Sequence, residues 1–412
     1  LVGLRAGRIA FGLLGLMCAG AFCARAEPAS PAGSGDVPVA SDVRIGGDAK
    51  QTRFVVDLSQ KVDIHPFTLP DPYRVVIDLP QVTFQFPDRA GERGRGLVKA
   101  FRYGLVMAGG SRIVLDATGP VRVEKAFVLD ASDSQPARLV LDLVPASREA
   151  FLRAAAVDNR PARPATRPSE PPPTNGDPRP VVVLDPGHGG IDSGTRARDG
   201  SEVEKNLVLD FAVTLRDKLD KTGKYRVVMT RQDDTFVPLA DRVRFARSRN
   251  AQLFISIHCD ALARGDGDAQ GATVYTLSDH ASDAEAAKLA DAENRADVIS
   301  GVDLSVEPDD IAGILIDLAQ RETRAFSQQL AKHVVGELKT AARMHKHPLK
   351  SAGFRVLRAP DVPSVLIELG YVSSRKDLKE LMSENWRTRA GDAIVKAVDG
   401  YFTTRLAGGP GR

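Results

Sequence analysis

Between Asn159 and Pro180 the chain carries eight prolines mixed with Arg, Ser, Glu and Asn, and no apolar period recurs there. Helix and sheet are both disfavoured in such a run, because each proline removes a backbone donor and fixes its own φ. An extended, semi-rigid tether is expected, with the linker as a whole taken as 149–180. The 412 residues should therefore fold as two bodies. Hydrophobic residues at 43% and charged residues at 26% are enough for a core on each side, which excludes a wholly disordered chain.

The two sides have different periodicities. Residues 36–148 contain short alternating runs that predict strands, at Arg53–Leu58, Tyr73–Leu79, Ser111–Asp116 and Ala137–Leu143, with Pro, Gly and Asp between them. The pair ending at Asp57 and Asp78 is echoed by the pair ending at Asp116 and Asp142. Val62-Asp-Ile64 and Phe67 are likewise echoed by Val121-Arg-Val123 and Phe127. An all-β sandwich of two similar sheets is expected.

Residues 181–403 instead alternate strands and helices. Strands are expected at Val181–Asp185, Tyr225–Thr230, Leu253–Ile257, Ala272–Leu277, Phe354–Leu357 and Ser364–Leu369. Helices are expected at Glu204–Leu219, Leu239–Arg249, Arg321–Arg343 and Asp377–Phe402. That order predicts an α/β sheet with helices on both faces. The alanine-rich stretch Ser278–Gln320 interrupts the alternation and is treated as a helical insertion.

Residues 1–26 have the form of a secretory signal peptide. Arg5 and Arg8 precede the apolar stretch Ile9–Phe22, and Ala24-Arg25-Ala26 places small residues before a cleavage point at Glu27. Export to the periplasm is expected. No other apolar run approaches the ~20 residues of a membrane span, so no membrane insertion of the body is expected. Loss of the peptide removes Arg5, Arg8 and Arg25 and takes the formal charge from +3 to zero, so nucleic acid is not an expected partner. It also removes Cys18 and Cys23, which leaves Cys259 without a disulfide partner.

Four residues stand out by position. His188 lies in Asp185-Pro-Gly-His-Gly-Gly190 after the first expected strand of the α/β half, where three glycines let the backbone bend and approach a bound group closely. His258 and Glu368 each end a strand, and ligands bind at the carboxyl ends of the strands in an open α/β sheet. Glu204 opens the helix after the His188 loop. It can be a surface carboxylate favoured by the helix dipole or a third ligand. Two imidazoles and one carboxylate, with a position left open, is how hydrolases hold catalytic zinc. The glycines also admit a phosphate-cradle reading, but no Lys-Ser/Thr follows them, and zinc is preferred. Zinc would activate water near neutral pH. Glu368 would serve as the general base and later the acid, and Asp185 would either orient an imidazole from behind or cap the turn.

These segments, Val181–Gly190, Glu204-Lys-Asn206, Leu253–His258 and Pro363–Tyr371, resemble the zinc-dependent N-acetylmuramoyl-L-alanine amidases of bacterial cell-wall hydrolysis, over roughly residues 180–403. The resemblance implies cleavage of the amide between the muramic lactyl group and L-alanine, with His188, Glu204 and His258 on Zn2+ and Glu368 as the catalytic carboxylate. Cys259 departs from the pattern, standing where the family often has alanine. The β half is similar to the N-terminal peptidoglycan-targeting domain of periplasmic division amidases, which implies wall binding and a septal location. The basic cluster Arg89, Arg93, Arg95, Lys99 and Arg102 is either a wall contact or a solvated loop.

The resemblance further implies that the insertion at 278–320 plugs the cleft. Of Glu285, Glu293 and Asp297, Glu293 is the candidate to reach the zinc and block it. The stripe Ile311, Ile314, Leu315 and Leu318 either docks a LytM-type activator protein or packs on its own domain. Two other functions fit part of this pattern: a zinc carboxypeptidase or peptidase acting on the stem peptide, and a non-catalytic wall-binding division scaffold.

Overall fold

The computed structural model describes residues 37–70, 72–87, 89–107, 109–132, 135–158, 177–261, 270–299 and 314–407. The signal peptide, most of the proline-rich run and Ile311 lie outside the described residues. Residues 37–145 form nine strands: β1 (Val39–Gly47), β2 (Thr52–Leu58), β3 (His65–Leu69), β4 (Arg74–Pro80), β5 (Thr83–Phe84), β6 (Val98–Met107), β7 (Gly110–Ala117), β8 (Val121–Leu129) and β9 (Ala137–Pro145). They make two sheets, ordered β5-β1-β2-β9-β8 and β3-β4-β7-β6. Phe54, Val56, Val75, Ile77, Ile113, Leu115, Leu139 and Leu141 fill the core between them.

The internal repeat explains the pairing. Arg-x-x-x-Asp recurs at Arg53/Asp57, Arg74/Asp78, Arg112/Asp116 and Arg138/Asp142. An antiparallel pair of such strands is self-complementary, since each arginine meets the other strand's aspartate. The register sets Arg53 opposite Asp142 and Asp78 opposite Arg112. Arg53 grips Asp142 with two bonds of 2.6 and 2.8 Å, and Arg112 grips Asp78 with bonds of 2.6 and 2.9 Å. Each sheet therefore takes one central strand from each copy of the repeat.

The linker expected from 149 begins later than that. Helix α1 (Arg148–Asp158) occupies its start and buries Phe151 and Ala155 in the β core, a tertiary docking that outweighs the nearby prolines. The next elements are β10 (Val181–Pro186), α2 (Glu204–Lys221), β11 (Arg226–Met229), α3 (Leu239–Ser248), β12 (Leu253–His258), β13 (Ala272–Leu277), α4 (Ala284–Glu293) and α5 (Ala296–Ile299). They are followed by α6 (Ile314–Leu338), β14 (Met344–Ala352), β15 (Ser364–Glu368), α7 (Arg375–Leu381) and α8 (Glu384–Ala407). The strands form one sheet ordered β11-β10-β12-β15-β13-β14. Strands β11, β10, β12 and β15 are parallel, and β13 runs against β15.

Side chains alternate across a strand, so β10 sends Val182 and Leu184 to one face and Val181 and Val183 to the other. The first face packs on α2, α6 and α8 through residues such as Phe211, Val334 and Ile394. The second packs on α3 and α4 through Ala246, Ala286 and Leu289. Three local expectations change. Phe354–Leu357 is not a strand: Arg355–Leu357 is a single 3-10 turn. Asp377–Phe402 is two helices, because Ser374 caps α7 and the chain breaks at Met382 before α8 restarts. Strand β14 was not expected, since its sequence, Met-His-Lys-His-Pro-Leu-Lys-Ser-Ala, has little apolar alternation.

The outer face of the second β sheet is also covered. Leu69, Val76 and Val114 pack on Ile191 and Phe236 of the α/β half, and the Ile191 amide donates to the Leu105 carbonyl at 3.3 Å. This contact accounts for the unbroken apolar run Val75-Val76-Ile77, which is buried on both faces. No helix of the described residues is long and apolar enough to cross a membrane.

Candidate metal centre and active site

The loop after β10 turns at once. A Cβ on Gly187 would run into the His258 ring, and one on Gly194 would meet both the His188 ring and the Glu204 carboxylate. His188 itself sits at φ 59°, a conformation non-glycine residues rarely adopt. Two buried arginines hold it there. Arg231 donates to the carbonyls of Pro186 and Gly187 at 3.0 and 2.8 Å. Arg242 donates to the carbonyls of Pro186 and His188 at 2.8 and 2.7 Å. Burial, with Arg242 nearby, pushes the Arg231 guanidinium down to about 10.

Four of the expected residues converge. Ligand atoms of His188, Glu204 and His258 all lie within 4.8 Å of one another. His188 Nε2 is 3.2 Å from Glu204 Oε2, and His258 Nδ1 is 3.3 Å from Glu204 Oε1. Glu368, at the end of β15, is the register partner of His258 at the end of β12. The Glu204 carboxylate is held by the Cys259 amide at 2.9 Å and by the Thr195 amide and hydroxyl at 2.9 and 3.0 Å.

Asp185 meets neither imidazole. Its carboxylate accepts from Thr230, Ser256 and Arg242 at 2.6, 2.7 and 2.8 Å, because the turn at Gly187 carries His188 away from the strand axis. Despite complete burial, those three donors hold its pKa below the usual carboxylate range. The carboxylate behind the ring is Asp192, which accepts from His188 Nδ1 at 2.9 Å. Asp192 was missed from sequence because only the Gly189–Asp192 backbone pair, closed by bonds of 2.8 and 3.0 Å, brings it back under His188. An acid four residues after a candidate ligand histidine is the signal that marks it.

The chemistry of the donor set fits a cation. His188 Nε2 and His258 Nδ1 are buried, face the same point and have no hydrogen-bond partner, an arrangement that costs free energy unless something binds them. Burial opposes protonation of both rings. Asp192, Glu204 and Glu293 outweigh it at His188, as Glu293 and Glu204 do at His258, so the site is strongly anionic. A divalent ion suits that surplus. Cys259 is not among the ligands: its side chain lies in the core, and burial with Glu204 raises its thiol pKa.

Glu368 is fully buried. Its Oε2 accepts from the Asp260 amide at 3.0 Å and its Oε1 has no partner. Burial and the carboxylates of Glu204 and Asp260 raise its pKa well above the usual range. Asp260, missed in the sequence, is pushed up to about 7 by burial, Glu204 and Glu293, and bonds the Thr195 hydroxyl.

Helix α4 lies over this centre. Glu293 Oε2 is 3.3 Å from His258 Nδ1 and 3.7 Å from His188 Nε2. The void left between Glu293, the histidines and Phe354 is about 10 Å³, room for a single water at most. Asn294 anchors the end of the helix by donating to the Gly353 carbonyl at 3.0 Å and accepting from the Arg355 amide at 2.8 Å. Asp297 accepts from the Leu239 amide at 2.9 Å. Residues 300–313 lie outside the described ones, and Ile314, Leu315 and Leu318 are placed only as backbone of α6.

A mostly parallel α/β sheet whose loops and strand ends bring His188, His258 and Glu368 together with Glu204 at the start of α2 is the architecture of a hydrolase-like site, and sequence comparison identifies which. Residues 182–400 match the N-acetylmuramoyl-L-alanine amidase family (Amidase_3), and residues 42–143 match the AMIN domain. The chain is 32% identical over 385 residues to N-acetylmuramoyl-L-alanine amidase AmiC of Neisseria meningitidis serogroup B, covering 90% of this chain and 91% of that one. It is 30% identical over 374 residues to N-acetylmuramoyl-L-alanine amidase AmiC of Escherichia coli O6:H1, covering 87% and 88%. Among solved structures, it is similar to an N-acetylmuramoyl-L-alanine amidase from Clostridium difficile 630, with 25% identity and a TM-score of 0.40, covering 55% of this chain and 98% of that one. The chain belongs to the N-acetylmuramoyl-L-alanine amidases and carries an N-terminal AMIN domain. That membership displaces the stem-peptidase and scaffold readings.

Proposed function

We propose that this enzyme is a zinc amidase of the periplasm that hydrolyses the muramoyl–L-alanine bond during daughter-cell separation, and that it rests in an inhibited state. The observation that carries the reading is the convergence of His188 Nε2, His258 Nδ1 and Glu204 on one point that Glu293 also faces. His188, Glu204 and His258 would hold the zinc, which when bound would supply Lewis-acid chemistry at the scissile amide. Glu368 takes the proton of the attacking water and delivers it to the departing amine of L-alanine. Asp192 fixes the His188 ring so that Nε2 points inward, and Thr195 with the Cys259 amide fixes Glu204. Glu293 occupies the position substrate needs, and α4 must leave for turnover to begin.

The AMIN domain would bind peptidoglycan and bring the enzyme to the septum. A groove of about 570 Å³ lined by Arg89, Arg93, Arg95 and Phe101 supports a contact with wall polymer. A LytM-type activator, implied by the resemblance, would act on the insertion. The test is a digest of purified sacculi by the zinc-loaded protein with mass analysis of the fragments. Glycan chains bearing free lactyl carboxylates on their muramic acids, together with intact L-alanine-led peptides, are expected. Peptides shortened at their carboxyl ends instead would overturn the reading.

A further inference from the structure

Helix α4 is held at two ends, and only Glu293 faces the metal ligands. At the other end, in its first turn, Glu285 Oε1 lies 3.0 Å from Lys350 Nζ, 3.4 Å from the Tyr371 hydroxyl and 3.8 Å from His345 Nε2. Asp283, which caps the helix, places Oδ2 3.3 Å from the same Lys350 Nζ. The three groups belong to the body of the domain. His345 and Lys350 stand on β14, and Tyr371 lies three residues beyond Glu368.

All three are buried: Lys350 is 3% exposed, His345 6% and Tyr371 0%. A lysine normally keeps its ammonium in water, and burying the charge is costly unless it is paired. Both carboxylates that pair with Lys350 are on the insertion. When α4 leaves, the cleft keeps an ammonium, a phenol and an imidazole around the position that the Glu285 carboxylate vacates. A carboxylate that follows the helix into the cleft finds a charged partner already in place there.

We infer that Lys350, Tyr371 and His345 form a carboxylate-binding subsite for the peptide part of the substrate, and that Glu285 occupies it by imitation in the resting enzyme. The inference rests on the proposal above that α4 vacates the cleft. Eight residues of helix separate Glu285 from Glu293, about 12 Å at 1.5 Å per residue. An extended peptide covers that distance in three to four residues. The subsite therefore reads a carboxylate about that far beyond the scissile amide. The sugar side of that amide offers neutral hydroxyls and amides, whereas a peptide ends in a carboxylate.

The experiment compares two synthetic N-acetylmuramoyl peptides, identical except that one carries free carboxylates on the residues after L-alanine and the other carboxamides. Their kcat/KM ratio is measured on the full-length chain and on its Glu293→Ala variant. Both substrates compete with the same helix, so the ratio does not depend on how often α4 leaves. The absolute rates alone report on the helix, and failure of the inhibition reading is thereby distinguished from failure of this one. The acid should be preferred about tenfold or more, through KM, as expected for a charge-assisted contact. Lys350→Met should bring the ratio close to one at unchanged zinc content, and Lys350→Arg should restore much of it. Anisotropy of dye-labelled versions of both peptides should show the same preference in binding to Glu293→Ala. A ratio near one in the parent overturns the inference whether or not any variant folds, and so does a preference that survives Lys350→Met.

Discussion

Nδ1 of His188 donates to Oδ2 of Asp192 at 2.9 Å, and this one bond decides which nitrogen of the ring faces Glu204. The other nitrogen, Nε2, is left buried and unpartnered at the metal point. Asp192→Ala is expected to weaken zinc binding roughly 10–100-fold by freeing the ring and lowering its basicity. Competition against a chromophoric chelator measures this directly. Unchanged affinity would remove Asp192 from the centre.

Glu368 has Oε2 fixed by the Asp260 amide, while Oε1 has no hydrogen-bond partner among the described residues. Glu368→Gln should lower turnover of muramyl peptide by about 10²–10⁴-fold while zinc content and melting temperature stay near the parent's. If the variant digests sacculi at the parent's rate, another group is the base.

Glu293 faces both imidazoles, and the void left beside it is about 10 Å³. Glu293→Ala and a variant lacking 278–320 should each hydrolyse muramyl peptide roughly 10–100-fold faster than the intact chain, as expected when a strongly favoured closed state is released. Equal low rates in all three proteins would dispose of inhibition by the insertion.

Asp185 and Arg242 form a fully buried ion pair under the His188 loop, 2.8 Å apart. Arg242→Met should cost about 3–5 kcal/mol in chemical denaturation, because it strands a buried carboxylate. The pair also sets an acid dependence. Asp185 titrates below its ordinary value in the folded state, so its contribution is complete above the unfolded pKa of about 4 and fades as pH falls through the lower folded value. Asp185→Asn should flatten the stability profile in that acid window, as urea midpoints read at several pH values will show.

Much of the architecture is local and was legible. Strands β2, β4, β7 and β9 and the apolar stripe of α2 are written in side-chain periodicity, which depends only on nearby residues. The positions of His188, His258 and Glu368 were legible for a related reason: a residue that ends a buried strand must emerge at the sheet's edge. Strand β14 was hidden because two of its three buried residues, His345 and Lys350, face carboxylates of the insertion, and only the third, Ala352, packs in the core.

By itself, then, the sequence determined the two fold classes and the residues that meet at the strand ends, because backbone period and strand polarity carry that information. Tertiary structure alone decided that Asp192 rather than Asp185 backs His188, that Val76 and Val114 cover Ile191, and that Glu285 lies beside Lys350, Tyr371 and His345. Each of these is a contact between side chains whose separation in space is set by turns and sheet order. A buried charge finds its partner through that geometry, whatever the spacing along the chain.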